Sequence, residues 1–480
     1  MGKKSLLMFC MTAIAFCAIS TPCQGEEIDS AKVADAGLPV MYITTITGER
    51  PTFRTAKKEN PDWIGNTITD EEKLPGRVYI QLKGETLYDS HEYIKDSTGM
   101  TIKVRGNTSA LVSDKWPYKI KLQKKADLLC RGNDSIYKDK EWLLIRDENI
   151  RNMIGLKINE LMKMQWTPAF RYVNVIMNGS YEGVYMLIES VKRKPKSRLD
   201  VSETGYIAEF DPYWWSESKY VESHLTWIPW LYMNYTFKYP DKDDITDEQL
   251  EYFAHFINKV EESLSDGTYS KYIDVESFAR WMLARDILGN SDGAGSNIYL
   301  TKYDDTSDSK LMMGNLWDLE GSMKNEDKWD EVHNMGVFYY HDLFDVDSDD
   351  FLRMYKDIWR NESAAIFEGI LAFLNDYAQS EEAVAMNNSV ALDKIRWDMD
   401  HDDIPHCIAH AQEWFTHRKE WLSTAMSTIK TSTEIEQERM ELEKLERATT
   451  YYNLKGQKVK NPPTGVYIRQ RHGQTIKVFK

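Results

Sequence analysis

"RYVNVIMNGSYEGVYMLIES", residues 171–190, decides how the first half of this chain is read. Two apolar, β-branched runs flank Asn178-Gly179, and an Asn-Gly pair in that setting is a strong signal for a two-residue hairpin. The spacing predicts two antiparallel strands with their turn at 178–179. Toward the N-terminus, "PVMYITTI", "RVYIQLKG", "MTIKVRG" and "PYKIKLQ" also read as strands. Residues 26–190 are therefore expected to be β-rich. One helix interrupts them: in "DENIRNMIGLKINELMKM", Ile150, Met153, Ile154, Leu156, Ile158 and Leu161 fall mainly on one face.

Toward the C-terminus, "GYIAEFD" reads as one more strand, and past about residue 245 the pattern becomes helical. "TDEQLEYFAHFINKVEESL" opens with a capping box, Thr246 to Gln249, and "DVESFARWMLARDIL" takes Asp274 as its N-cap. Residues 191–430 are expected to be mainly helical around a hairpin, and 431–450 a charged helix or linker. Residues 451–480 read as a small β module with turns at Lys455-Gly456, Pro462-Pro463 and His472-Gly473. The class is α+β, and a cleft between a β-rich and a helical part is a common location for a ligand.

With 480 residues, 42% hydrophobic and 12% aromatic, the chain has enough material for a folded, multi-part globule. Lys3 and Lys4 precede "SLLMFCMTAIAFCAIS", after which come Pro22, small residues and acidic ones. That is the order of a secretory signal peptide over residues 1–25, with a lipid anchor at Cys23 as the alternative. No other run approaches a membrane span, so the mature chain is expected outside the cytoplasm without a transmembrane helix. A net charge of −16 argues against nucleic acid as a partner. Past the signal region only Cys130 and Cys407 remain, and no disulfide framework is implied.

The stretch richest in chemistry is "GNSDGAGSNIYL", residues 289–300. Asp292 sits among glycines and small residues, and Asn297 follows where a strand begins. The continuation "TKYDDTSDSKLMMGNLWDLEG" reads as a hairpin turning near Thr306 and Ser307, with paired residue numbers summing to 613–615. That register brings Asn297 beside Leu316 to Asp318, so Asn297, Asp318 and Glu320 share one end. Oxygen donors of this kind suit magnesium, which uses one or two carboxylates while phosphates and water complete its shell. The Asp292-x-x-x-x-Asn297 spacing matches base and amide of a protein-kinase catalytic loop, and Asp318 would then hold the metal. On "PYKIKL", Lys119 and Lys121 face opposite to Tyr118, Ile120 and Leu122. They and Arg105 are candidate phosphate contacts, although lysines so placed usually just mark the exposed face of a half-buried strand, and a simple turn accounts for Arg105.

Taken in order, "RGNTS", "WPYKIKL", "WLLIRDENIRNMIGLKI", "VNVIMNGSYEGVYMLIESV", "GYIAEFD", "GNSDGAGSNIYL" and "GNLWDLEGSM" resemble the CotH (spore coat protein H) kinases, a family of atypical secreted kinases. The resemblance implies a diverged, two-lobed protein-kinase-like fold that binds ATP and magnesium. It also implies transfer of phosphate to serine or threonine of extracytoplasmic proteins. Carried over residue by residue, Asp292 becomes the catalytic aspartate, Asn297 its amide partner, and Asp318 the metal-binding aspartate with Glu320 beside it. Arg105, Lys119, Lys121 and Glu189 become candidate nucleotide contacts. Glu209 lies in a matching segment without an assigned role, and Arg151 and Asn152 would fix the helix to the sheet. The family reads Trp-Asp-x-Asp where this chain has Trp317-Asp318-Leu319-Glu320, which bears on activity more than on fold. The rival class is a kinase-like surface protein without catalysis, binding peptide or glycan through "YWWSES" and "HLTWIPWLYMNY". Three further signals are set aside: "DVDSDD" lacks the glycine and terminal glutamate of a calcium loop, His406 and His410 lack a zinc-protease glutamate, and His341 has no nucleophile beside it.

Overall fold

The computed structural model describes residues 28–479 except 61–62, 107, 133, 226–232, 291–296, 325–337, 346–348, 448, 461 and 472–473. The proposed signal peptide, Cys23 and Asp292 therefore lie outside the described residues.

From the N-terminus, α1 (Ser30–Asp35) precedes β1 (Val40–Thr45), the hairpin β2 (Phe53–Asn60) and β3 (Trp63–Glu71), and then β4 (Leu74–Leu82), β5 (Glu85–Asp89) and β6 (Met100–Val104). The short α2 (Thr108–Leu111), β7 (Tyr118–Ala126), β8 (Asp139–Ile145) and α3 (Arg151–Leu161) lead to β9 (Phe170–Met177) and β10 (Ser180–Glu189). The β9–β10 hairpin turns at Asn178-Gly179, and Asn178 carries the positive φ that this turn demands. Seven strands run in the order β1-β9-β10-β8-β7-β6-β4, and β1 pairs again with β4, so the sheet closes into a barrel with β5 added outside β4. The β1–β9 pair is parallel, Val40 opposite Asn174, and the other barrel ladders are antiparallel.

Strand alternation fills the barrel: Met41, Ile43, Val78, Ile80, Ile102, Tyr118, Ile120, Trp142 and Val175 are buried together inside it. The outer face is apolar as well over β8 to β10. There Leu143, Val184, Met186 and Ile188 join α3 and the later helices in one continuous core.

That core also holds a second, four-stranded sheet, in the order β12 (Asn234–Tyr239), β11 (Tyr206–Asp211), β13 (Ile298–Lys302), β14 (Leu311–Met313). The helices that complete this core are α4 (Asp247–Asp266), α5 (Val275–Leu288), α6 (Tyr340–Asp345), α7 (Asp349–Ala378), α8 (Glu381–Trp397), which packs on β10 of the barrel, and α9 (Ile404–Thr428). The Thr246–Gln249 capping box and the Asp274 N-cap both form, the latter accepting from Ser277 N at 2.8 Å. Beyond α10 (Ser432–Arg447), strands β15 (Thr450–Tyr452), β16 (Lys458–Val459), β17 (Val466–Arg471) and β18 (Gln474–Phe479) make a small sheet of their own.

The architecture is α+β, but the two-lobed protein-kinase-like fold expected from the sequence does not form. Two findings overturn it: the closed seven-stranded barrel, and the single apolar core running from the barrel's outer face through the second sheet into the helices. The physical reason is that β1 uses both of its edges and β8 to β10 are apolar on both faces. Cys130 and Cys407 are free thiols. No helix among the described residues is long and apolar enough to cross a membrane.

Candidate functional site

The β13–β14 hairpin pairs Leu300 with Met313, Thr301 with Met312 and Lys302 with Leu311. This is the 613 register. Continued past the ladder it sets Asn297 opposite Leu316, two residues short of Asp318, and Asn297 Nδ2 donates to Asp318 Oδ2 at 3.3 Å. Both residues hold left-handed backbone, φ +60° and φ +53°. For residues other than glycine that conformation costs about 1–2 kcal/mol each, with Asn and Asp the best tolerated, so the surroundings must enforce it.

Buried polar side chains supply the enforcement. Arg285, at the end of α5, donates to Trp317 O at 3.1 Å and to Asn290 Oδ1 at 2.8 Å. Asn290 in turn donates to Asp318 O at 3.4 Å and to Ser322 Oγ at 3.0 Å. From α3, Asn159 Oδ1 accepts from Leu316 N at 2.8 Å and Asn152 Oδ1 accepts from Leu319 N at 2.9 Å. The backbone on each side of Trp317-Asp318 is thus bonded to a helix, while the Asp318 side chain itself is exposed.

Helix α3 is held just as firmly. Buried Asp147 accepts from the backbone N–H of Asn152 at 2.8 Å and of Met153 at 3.1 Å, and from Tyr172 OH at 2.6 Å. These bonds favour the carboxylate, yet burial outweighs them and pushes its pKa up to about 7. Gly155 lets the helix approach the turn after Asp318: a Cβ there would sit 2.4 Å from Leu319 Cδ1. Asn152 was expected only to fix helix to sheet; it also positions the acidic turn. Nothing local in "DENIRN" reveals this, because its partner lies 167 residues away.

A cleft opens beside Asp318. Arg105, Pro117, Ile145, Arg146 and Ile188 of the barrel and its loops form one wall, and Trp317, Asp318 and Glu320 face them with Leu156 of α3. Arg146 and Glu320 approach to 3.5 Å. Of the candidates, Arg105, Asp318 and Glu320 line this cleft and Asn297 bonds to its edge. Lys119 and Lys121 point outward from β7 toward Glu141, at 3.2 and 4.0 Å, and are not among the lining residues. Glu189 is buried elsewhere in the barrel wall, accepting from Arg131 at 2.9 Å and from Ala169 N at 3.1 Å. None of these three is among the residues that line the cleft.

The family model described as CotH kinase protein matches residues 102–380. The chain belongs to that family. No curated protein matches it. The matched span carries both walls of the cleft, from Arg105 to Glu320.

Two features of this CotH chain go beyond the sequence reading, which named Glu209 without a role and did not single out Asp211, Glu148, Asp393 or His401. On β11, Glu209 pairs with Lys238 of β12 at 2.6 Å and stands opposite Tyr299 of β13, whose ring packs edge-on against Trp317. Next on that face is Asp211, whose pKa burial, and then the Glu209 charge, push up to about 6. Its oxygens accept from Tyr213 N at 2.7 Å and Thr236 Oγ1 at 3.0 Å. Elsewhere Glu148, Asp393 and His401 converge closely enough to hold a metal ion. Lys115 Nζ already lies 2.9 Å from Asp393 and 3.4 Å from Glu148, fully buried, and supplies the neutralising charge there. Residues 115, 148, 393 and 401 share no spacing that a sequence reading detects.

Proposed function

We propose that this protein transfers the γ-phosphate of ATP to serine or threonine hydroxyls of proteins outside the cytoplasm, with magnesium as the metal. The observation that carries the reading is the Asn297–Asp318 pair, held in left-handed backbone at the edge of a cleft that also presents Arg105 and Arg146. Membership of the CotH kinase family supports it.

The residues fit the metal. Asp318 offers an exposed carboxylate, Asn297 an amide oxygen, and both are oxygen donors of the type magnesium selects. When bound, the ion would neutralise charge on the phosphates of the nucleotide. The chain's own contribution is positioning and charge stabilisation, which is most of what phosphoryl transfer requires. Arg105 and Arg146 supply cations opposite the carboxylates, Ile145, Ile188 and Leu156 supply apolar lining, and Asp292 is assigned to orient the attacking hydroxyl. The N-terminal segment read as a signal peptide supports a location outside the cytoplasm.

Intact-mass spectrometry of the full chain and a serine-rich protein substrate, incubated with ATP and magnesium, tests the proposal. The expected result is an addition of one phosphate, absent in Asp292→Ala and Asp318→Ala. Addition of a nucleotide in place of phosphate would overturn the reaction type. Identical labelling in the Asp318 variant would overturn the site.

A further inference from the structure

Arg146 directly follows β8 on the cleft wall. Only 15% of its side chain is exposed, yet its ion pair among the described residues is the long one to Glu320, Nη2 to Oε1 at 3.5 Å. Its Nε is buried with no hydrogen-bond partner there. Charge-assisted hydrogen bonds run at about 2.7–2.9 Å, so this mostly buried guanidinium is loosely paired with Glu320 and leaves one buried donor, Nε, unmet, which is costly. Glu148 is close enough for its charge to be felt, but its oxygens already face Lys115 at 3.4 Å and His401 at 3.7 Å.

The guanidinium is also pre-aimed. Asp147, the next residue, is locked by the α3 N-terminus, and Asn152 Nδ2 donates to Arg146 O at 3.4 Å. The same Asn152 holds Leu319 N, between Asp318 and Glu320. One buried asparagine therefore sets the cation and the acidic turn at a fixed separation. A planar fork held opposite an exposed carboxylate suits an anion that brings its own metal, and arginine matches phosphate oxygens two at a time where lysine cannot.

We propose that Arg146 grips the phosphate chain of the nucleotide in this cleft, and that Glu320 is its resting counter-ion, not a ligand for the metal. The identity of the anion rests on the kinase reading above; the anion site itself does not. Glu320, one methylene longer than aspartate, reaches Arg146 across the cleft and yields it when phosphate arrives. The lysines of β7 face Glu141, at 3.2 and 4.0 Å, and are not among the lining residues.

The test is calorimetric titration of the full chain with magnesium and, separately, ATP, AMP and inorganic tripolyphosphate. Arg146→Lys keeps the charge and loses the fork, and Arg146→Gln loses both; thermal melting checks that each is folded. ATP and tripolyphosphate affinity should fall about tenfold or more in both variants, with AMP binding much less affected. Glu320→Gln should leave tripolyphosphate binding as tight or tighter, since it removes a competing carboxylate. Weaker binding in Glu320→Gln would return Glu320 to the metal and overturn its assignment. ATP binding indifferent to Arg146 would overturn the proposal and leave the kinase reading standing. Arg146-dependent binding of tripolyphosphate without any ATP binding would do the reverse, and a chain that binds neither would sink both.

Discussion

Asn297 and Asp318 each hold a conformation that their neighbours impose, and that makes the charge separable from the fold. Asparagine tolerates left-handed backbone as well as aspartate does, so Asp318→Asn should melt within about 2 °C of the parent. It should nonetheless lose the stabilisation that ATP with magnesium confers on the parent, which a melting series against nucleotide concentration would record. A parallel loss of stability without ligand would mean the carboxylate is structural. Glu362 of α7 makes a second prediction about a single side chain. Hydrogen bonds from Arg280, and then from Lys163, hold its pKa down at about 2. Because the folded value lies below the unfolded one, near 4.3, the stabilisation is complete above about pH 4.3 and is lost as pH falls toward 2. Urea unfolding of Glu362→Gln should show a deficit at pH 7 that closes on acidification. A deficit independent of pH would show that packing, not charge, is what the side chain provides.

Helix α3 joins the barrel to the acidic turn, and its energetics belong to the element. Asn152→Ala strands Leu319 N and removes two donations to Asp147 and Arg146 O, so a loss of about 1–3 kcal/mol is expected. Gly155→Ala forces a methyl against Leu319, for about 1–3 kcal/mol of overpacking. Both variants should weaken nucleotide binding by displacing the turn, though neither residue carries charge; chemical unfolding alongside nucleotide titration checks the pair. A Gly155→Ala variant that binds nucleotide normally would show that the turn is fixed from α5 alone. At this scale the sequence was informative where signals are local. The capping box at Thr246, the Asp274 cap, the Asn178-Gly179 turn and the hairpin register summing to 613 are all written within a few residues of where they act. The work of Asn152, Asn159, Arg146 and Asn290 was not legible, because each bonds to or faces chain that is distant in sequence.

At the scale of the whole molecule, strand alternation told which face of each barrel strand is buried but not which strands close the circle. β1 meets β4 within one stretch of chain and β9 some 130 residues later, and no local signal records that second, parallel edge. The two-lobed expectation failed on that pairing. It also failed on β8 to β10, whose apolar outer faces draw the second sheet and helices into one core. Ile43, fully buried on β1 and paired on both sides, gives the closure a cost: Ile43→Ala should destabilise by about 2–5 kcal/mol in urea unfolding, whereas an open sheet edge would lose far less. The closed barrel also supplies the wall that carries Arg105 and Arg146, and the acidic turn facing it is where magnesium and ATP are proposed to bind. The most direct test of that claim is a titration of the full chain with ATP, with and without magnesium, beside Asp318→Asn. Saturable, magnesium-dependent binding that the substitution abolishes is the predicted result. Binding that ignores both the ion and Asp318 would contradict it.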